Sequence, residues 1–598
     1  VHSDTDRPPL TDIEFRNRVL NTLEQGTISV NRAKTTVKLF KSLPDDLETF
    51  NQMFLGENDQ VNNPDLFKKR ILGLTSYFRS AQEGLLPRYD PLTDYIVVKI
   101  PMSDYQLGLY ETARAPERKE ESKKRKPTKS KTVEGLFDDP SSTYRIFSRL
   151  FCNFVMPLPP GRPMPRDNRI EESYKKTQTE GNKKGSNELR GSAGDEVEGD
   201  EIMEKGADDT YPQRITNALR HVTENGEDVF SNEGLQKYSP KFLHMYDNIV
   251  DPEHAGLHLV YSQFRTLEGI GLFKLMLDHK GFTQFKIKKG LDGVWTLNIA
   301  DADRGKPTYA LYTGTENDEE KEMVRNIYNS DWNPNLPITQ TLRDIANNNH
   351  MGEIIKVLMI TASGSEGINL RSTRFVHIME PYWHPTRKDQ IIGRARRICS
   401  HKALPVEMQD VRVFMYLMTI TDEQLQTIAT KDMKLRDKSK HKYQVHPDKT
   451  DMDFRVLTSD EALFEISNIK ESIITGFTRL IKEASIDCAT YTKRGNAEQV
   501  QCVQYGEPRD TEVSYVPNIT KQPPDDVQKQ NQETFRWRGN EYSDGTGKKY
   551  IHRQMDRNTA NLYDVESYYQ ALEGTIAEPR LMAIEEKRGD DYVIRRVA

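Results

Sequence analysis

Residues 235–425 predict an α/β fold, a parallel sheet covered by helices on both faces. Two observations carry the prediction. Five apolar runs, Leu257–Tyr261, Thr308–Tyr312, Ile355–Thr361, Phe375–Met379 and Val411–Met418, recur between amphipathic stretches at about 265–279, 319–329 and 385–398. The runs are continuously apolar rather than alternating, as in strands buried on both faces. Ligands of such sheets bind beyond the carboxyl ends of the strands, and the polar motifs of this sequence follow those ends.

The remaining elements divide the chain into further segments. Residues 1–112 read as mostly helical: EFRNRVLNTL and LFKKRILGLTSYF place apolar residues at helical spacing, and a short apolar run follows at Tyr95–Ile100. Residues 113–136 are a basic linker or insertion. Arg114–Lys131 holds nine basic and three acidic side chains without apolar periodicity, so a solvated segment is expected, with phosphate contact or nuclear import around Lys123–Lys126 as the sharper reading. Residues 137–158 predict an apolar helix with Asp139 or Ser141 as its cap. Residues 159–210 read as an acidic, disordered insertion, with eight acidic side chains and one lysine in Asp195–Asp209. The α/β domain is expected over 211–428. Residues 429–598 form an α+β accessory region: Leu463, Ile466, Ile473, Phe477, Leu480 and Ala484 share one face of a long helix, and a turn-rich tail with short strands follows.

Composition excludes several classes. With 598 residues, 29% charged and 35% hydrophobic, and a mean hydropathy of −0.76, no stretch approaches the ~20 apolar residues of a membrane span. A net charge of −6 means that any nucleic-acid surface is local. Cys152, Cys399, Cys488 and Cys502 never form a CxxC pair; this argues against a disulfide scaffold or zinc ribbon and for a reducing compartment. The chain begins at Val1 with a polar segment rather than a secretory signal.

Chemistry concentrates in Gln390-Ile-Ile-Gly393-Arg394-Ala-Arg396-Arg397. Pro385 suits a first helical turn. On the helix that follows, Gln390, Arg394 and Arg397 fall at i, i+4 and i+7 and share a face, while Ile391, Ala395 and Ile398 can pack on the sheet. Guanidinium groups held together suit a polyphosphate; a lone motif of this kind reads first as a solvated surface helix. Its neighbours favour the first reading. Thr361-Ala-Ser363-Gly364-Ser365-Glu366-Gly367-Ile-Asn369-Leu follows an apolar strand and suits a small-residue turn with free amides. FVHIMEPYWHP is a second strand running to Glu380; LVYSQF ends in Ser262 and Gln263; ALYTGTE ends in Thr313-Gly314-Thr315. His384 and His401 are expected to hydrogen-bond a phosphate or a carbonyl rather than a metal, and Trp383 to pack between elements. No metal site is expected.

Taken in order, YSQF, YTG, TASGSEGINL, EPYWHP and QIIGRARR resemble the second RecA-like lobe of superfamily 2 helicases and translocases, in the Swi/Snf-like branch. EPYWHPTRKDQIIGRARRICSHKALP is most similar to helicases of large DNA viruses, of the poxvirus early transcription factor small subunit kind. The resemblance is close over about 255–405 and looser beyond. It implies that Arg394 and Arg397 are catalytic arginines reaching nucleotide phosphates across an interlobe cleft, with Gln390, Gly364, Glu366, Gly367 and Gly393 beside the nucleotide. Ser262, Gln263, Thr313, Gly314, Ser363 and Asn369 would lie near a nucleic-acid backbone. The implied cofactor is ATP with Mg²⁺, and the implied partners are DNA or RNA, a first RecA-like lobe in cis or trans, and a viral transcription complex. The expected location is intracellular: host cytoplasm, viral factory, virion or nucleus.

Two departures matter. Swi/Snf-type sequences continue with Gly-Gln after the last arginine, whereas this one reads Cys399-Ser400-His401. A P-loop, GxxxxGK[ST] after a strand, does not occur; Gly547-Lys548 is the nearest imitation. Asp460-Glu461 has the letters of a DExx box but opens an amphipathic helix, so these are expected to be helix N-terminal carboxylates. The sequence therefore predicts the second half of a motor, with the Mg²⁺-holding lobe elsewhere and negligible ATPase activity from this chain alone. The alternative is a non-catalytic subunit that keeps the lobe for nucleic-acid binding or assembly.

Overall fold

The structure is a computed structural model that describes residues 11–26, 28–36, 41–56, 60–77, 85–124, 145–163, 211–314, 316–333, 337–361, 367–426 and 456–488, and, in the tail, 500, 502–503, 539–543, 549–555, 559–572, 579–588 and 591–596. It comprises two compact units, 79–476 and a second made of 1–78 with 477–598.

The larger unit is built on seven strands: β1 (Tyr95–Pro101), β2 (Leu257–Tyr261), β3 (Thr283–Gln284), β6 (Thr308–Tyr312), β7 (Val357–Ile360), β8 (Thr373–Ile378) and β9 (Arg412–Thr419), with a hairpin of β4 (Ile287–Lys289) and β5 (Trp295–Leu297) between β3 and β6. The order is β1-β9-β8-β2-β7-β6-β3 and every pair is parallel. β2 and β7 are buried throughout and β8 likewise, which explains their unbroken apolar character. Alternate strand residues feed two cores. Val260, Met359 and Phe375 face one, with the helices Pro240–Val250 and Ile270–His279. Leu259, Leu358 and Val376 face the other, with Asp318–Tyr328, Pro337–Ile345 and Pro385–Ala395. The predicted α/β class is thus realised, with helices on both faces.

Several details differ from expectation. The run at Tyr95 is a full sheet strand, in register with β9 through Val97 and Met415, and the compact unit is wider than the domain expected at 211–428. The basic stretch is not wholly solvated: a helix, Asp104–Lys124, runs through its first part. Arg114 is fully buried and lies 3.3 Å from Glu117, and Arg118 pairs with Glu111 at 2.7 Å; local carboxylates neutralise these arginines, which net charge alone does not register. The apolar helix expected after 137 is Ile146–Asn153, while Asp139 and Ser141, Lys126, residues 164–210 and Gly547-Lys548 lie outside the described residues. Among the described residues no helix is long and apolar enough to cross a membrane.

Across β2, β8 and β9, the rings of His258, His377 and Tyr416 stack. One hydrogen-bond chain links them. The Asn248 amide donates to the Tyr416 hydroxyl (3.0 Å), the hydroxyl to His377 Nδ1 (2.8 Å), His377 Nε2–H to His258 Nδ1 (3.0 Å), and His258 Nε2–H to the His254 carbonyl (3.1 Å). Each ring nitrogen is used once with both imidazoles neutral. Burial pushes His377 down to about 3 and His258 well below its usual value. An unfolded histidine titrates at about 6.5, so between about 6.5 and about 3 the unfolded state binds more protons. This contribution is complete above pH 6.5 and is lost as pH falls through that window. Melting curves should therefore show a falling Tm on acidification below about pH 6.5, and His377→Asn should flatten that slope; an unchanged slope would place the acid sensitivity elsewhere.

In the smaller unit, Phe54, Leu66, Phe67 and Ile71 pack around Leu480 and Ala484, on the predicted face of the long helix Ser459–Ala484. Lys68 meets Glu483 at 3.3 Å. The tail forms an antiparallel sheet of β10 (Asn540–Ser543), β11 (Lys549–Gln554), β12 (Thr559–Tyr563), β13 (Leu581–Arg588) and β14 (Asp591–Arg596). Cys488 and Cys502 are joined as a disulfide with Cα atoms 5.6 Å apart. This corrects the expectation of unpaired thiols: a spacing of fourteen residues carries no motif, and the pairing removes cysteine usage as an argument for a reducing compartment.

Candidate functional site

Strand β2 leads out to edge strand β3, whereas its neighbour β8 leads the other way to β9, so the connections part at the ends of β2 and β8. Crevices at such points are where open α/β sheets bind ligands. Ser262 and Gln263 end β2 there, and Glu380 follows β8. The Glu380 carboxylate accepts the Ser262 hydroxyl at 3.1 Å, the Asn153 amide at 3.0 Å and the Gln263 backbone N–H. The Arg149 guanidinium donates to the Gln263 side chain and lies 5.1 Å from the Phe264 ring centre. Burial raises the Glu380 pKa, opposed by the Gln263 N–H and by the Arg149 and Lys241 charges. Asn153 joins this network to Lys241 at 2.9 Å, and Lys241 to Asp460 at 2.7 Å, both fully buried. Asp460 also accepts the Met418 N–H, and Glu461 forms a reciprocal cap with Thr458. These carboxylates therefore start the long helix, as expected. Ser262 and Gln263 lie beneath the surface; they shape the end of β2 rather than present themselves to a ligand.

The arginine helix, Pro385–Ala395, starts with Pro385 at its first position and with His384 as cap, whose ring accepts the Thr386 N–H at 3.2 Å. Ile391, Ile392 and Ala395 are buried on the sheet. Gln390 is exposed and Arg394 half-buried, one turn apart. Arg397 departs from the expected common face. The helix ends at Ala395, Arg396 adopts φ −95°, ψ 83°, and Ser400 draws the chain round by donating to the Ala395 carbonyl (3.1 Å) and accepting from the Arg397 N–H (3.4 Å). Arg397 is thus presented from the following turn, exposed, and Ile398 is exposed rather than packed on the sheet. His401 donates to the Thr373 carbonyl at 2.9 Å, the carbonyl role expected for it. Trp383 stacks under Lys470, 4.0 Å from its ring centre.

The other motif meets the arginine helix directly. Leu370 N–H donates to the Arg394 carbonyl at 3.1 Å, and the Asn329 side chain holds the Asn369 carbonyl and the Arg371 N–H. Asn369 is exposed. Gly367 has φ +75° and open space where a Cβ would stand, a backbone that glycine adopts without strain. Ser363, Gly364 and Glu366 lie outside the described residues. Among the described residues nothing within 4 Å meets a Cβ at Gly393 either. Gln390 is exposed beside Gly393 and the half-buried Arg394, and the amide and guanidinium donors of this stripe suit phosphate oxygens. Thr313 is buried, with its N–H and hydroxyl both on Glu316, and Gly314 is exposed at the end of β6. Among the described residues no three metal-binding side chains converge.

Sequence reasoning missed the roles of Glu380, Arg149 and Lys241. The only signal was a carboxylate directly after an apolar strand. It also missed a small cavity of about 20 Å³, lined by Tyr95, Glu380, Tyr382, His384, Arg387 and Phe464 among others. Burial there, with the Lys470 and Arg387 cations, lowers the His384 pKa.

Residues 306–399 match the family described as the helicase conserved C-terminal domain. The match includes Thr313, Gly314, Gly367, Asn369, Gln390, Arg394 and Arg397; Ser262 and Gln263 lie ahead of it. The chain is 26% identical over 531 residues to the Acanthamoeba polyphaga mimivirus protein named "Putative ATP-dependent RNA helicase R350", covering 80% of this chain and 54% of that protein. It is 24% identical over 451 residues to a termination factor NPH-I homolog of African swine fever virus, covering 72% and 52%. The chain thus spans about half the length of these curated relatives. Among solved structures, the C-terminal part of the Fun30 ATPase domain matches 64% of this chain and 99% of its own at 14% identity and a TM-score of 0.30.

Proposed function

We propose that this chain supplies the arginine-bearing lobe of an ATP-dependent helicase or translocase, acting on DNA or RNA in viral transcription or replication. The single observation that carries the reading is the junction of two motifs: the Leu370–Arg394 backbone bond fixes the Gly367–Asn369 segment against the Gln390–Gly393–Arg394 stripe, within the residues that match the helicase C-terminal family.

When bound, ATP supplies the γ-phosphoryl group whose transfer to water drives the motor. Gln390 and Arg394 offer donors to phosphate oxygens from one helical face, and Arg397 adds a second cation from the next turn. A guanidinium so placed stabilises the charge of phosphoryl transfer by about 10³- to 10⁵-fold. Gly367 and Asn369 lie beside Arg394 and link nucleotide contact to nucleic-acid contact, with Gly314 offering exposed backbone at the end of β6. Ser262 and Gln263 act through Glu380 by fixing the crevice. A phosphate cradle and Mg²⁺ come from a first RecA-like lobe, in cis or in trans, and the assembly works with a transcription complex.

Phosphate release tests this. The chain alone should turn over ATP at background rate, and addition of a P-loop lobe from a related helicase, with DNA, should restore activity. Robust turnover by the chain alone would overturn the divided-motor reading.

A further inference from the structure

We infer that the β4–β5 hairpin is a nucleic-acid-contacting ribbon, with Leu291 as a wedge against bases and Lys286 and Lys288 on phosphates; this rests on the nucleic-acid reading above. The hairpin leaves the end of edge strand β3. Phe285 N–H bonds the Tyr309 carbonyl, so the ribbon continues along β6 toward the rim that carries Thr313 and Gly314. Lys289 fastens it there by a 2.5 Å ion pair with Glu319, in the first turn of the helix that follows.

The two faces of the ribbon differ. Ile287, Leu297 and Trp295 pack on the sheet core. Strand alternation turns Lys286 and Lys288 the other way, both exposed, about 7 Å apart along the strand. The turn is ordered: Gly290 N–H bonds the Val294 carbonyl (2.8 Å), the Asp292 carboxylate accepts the Val294 N–H (3.1 Å), and Gly293 supplies φ +78°. Yet this fixed turn holds Leu291 fully in solvent, 112% exposed. A leucine at the tip of a cationic ribbon matches the apolar side chains that proteins insert between base steps, and two neighbouring lysines match a phosphate backbone. Glu319 takes Lys289 and Asp278 lies within electrostatic reach of Lys286, so the ribbon's exposed cations Lys286 and Lys288 meet one nearby carboxylate between them, and their spacing along the strand suits a phosphate backbone.

The test uses the full chain and a forked DNA duplex with 2-aminopurine at the junction, and the same fork in RNA, read by anisotropy across a salt series. Lys286→Glu with Lys288→Glu should weaken binding at least tenfold at low salt and reduce the log–log salt slope by about 1.8. Leu291→Ala should keep affinity for plain duplex within twofold and abolish the rise in 2-aminopurine fluorescence. A wild-type salt slope in the double variant, or an unchanged junction signal in Leu291→Ala, overturns the hairpin proposal while leaving the domain's reading intact. Failure of the wild-type chain to bind either fork overturns the functional reading itself.

Discussion

Arg394→Ala is expected to lower ATP turnover of the assembly with a P-loop lobe by about 10³-fold or more, with DNA affinity within a few-fold of wild type. Arg394 is half-buried and its backbone is tied to Leu370, so its guanidinium leaves from a fixed point. Loss of transition-state charge stabilisation appears in kcat and kcat/KM together. Arg394→Lys should recover little, because an ammonium lacks the planar fork. Arg397→Ala should cost less, since that residue comes from an exposed turn beyond the helix end. Equal loss of DNA binding and turnover would instead favour the scaffold alternative.

Lys241→Met is expected to destabilise the larger unit by about 3–5 kcal/mol, measured by denaturant unfolding with linear extrapolation. Lys241 and Asp460 are both fully buried and 2.7 Å apart. Removing the ammonium leaves the buried Asp460 carboxylate without its cation, with the Met418 N–H and the Cys152 thiol still beside it, and removes the Asn153 contact that supports Glu380. Lys241→Met combined with Asp460→Asn should regain part of the loss, because the amide carries no charge and still accepts from Met418. A loss below about 1 kcal/mol would mean that water reaches the pair.

How much of this was legible in the sequence depended on how local the signal was. Leu257–Tyr261 and Thr308–Tyr312 were placed to the residue because both of their faces are buried, leaving an unbroken apolar run. The long helix was legible from Leu463 to Ala484 because its burial follows one stripe. β1 looked like any short apolar run; its partner β9 is far along the chain, and no local pattern encodes that pairing. The end of the arginine helix was misjudged by three residues because Ser400, a polar residue outside the periodicity, closes it through the Ala395 carbonyl. Helix through Arg114–Lys124 was hidden by its charge, which Glu111 and Glu117 neutralise only once the chain is helical. That Gln390 and Arg394 stand one turn apart on one helix followed from spacing alone. The burial of Ser262 and Gln263 did not, because it depends on Glu380, Asn153 and Arg149 arriving from other elements.

The most direct test is a structure of this chain assembled with a P-loop lobe and an ADP–metal fluoride mimic of the transferring phosphoryl group. The account predicts the Arg394 guanidinium within about 3 Å of a fluoride, with Gln390 beside it. An Arg394 side chain turned away from the mimic, with the Gln390–Gly393 stripe facing solvent, would contradict it.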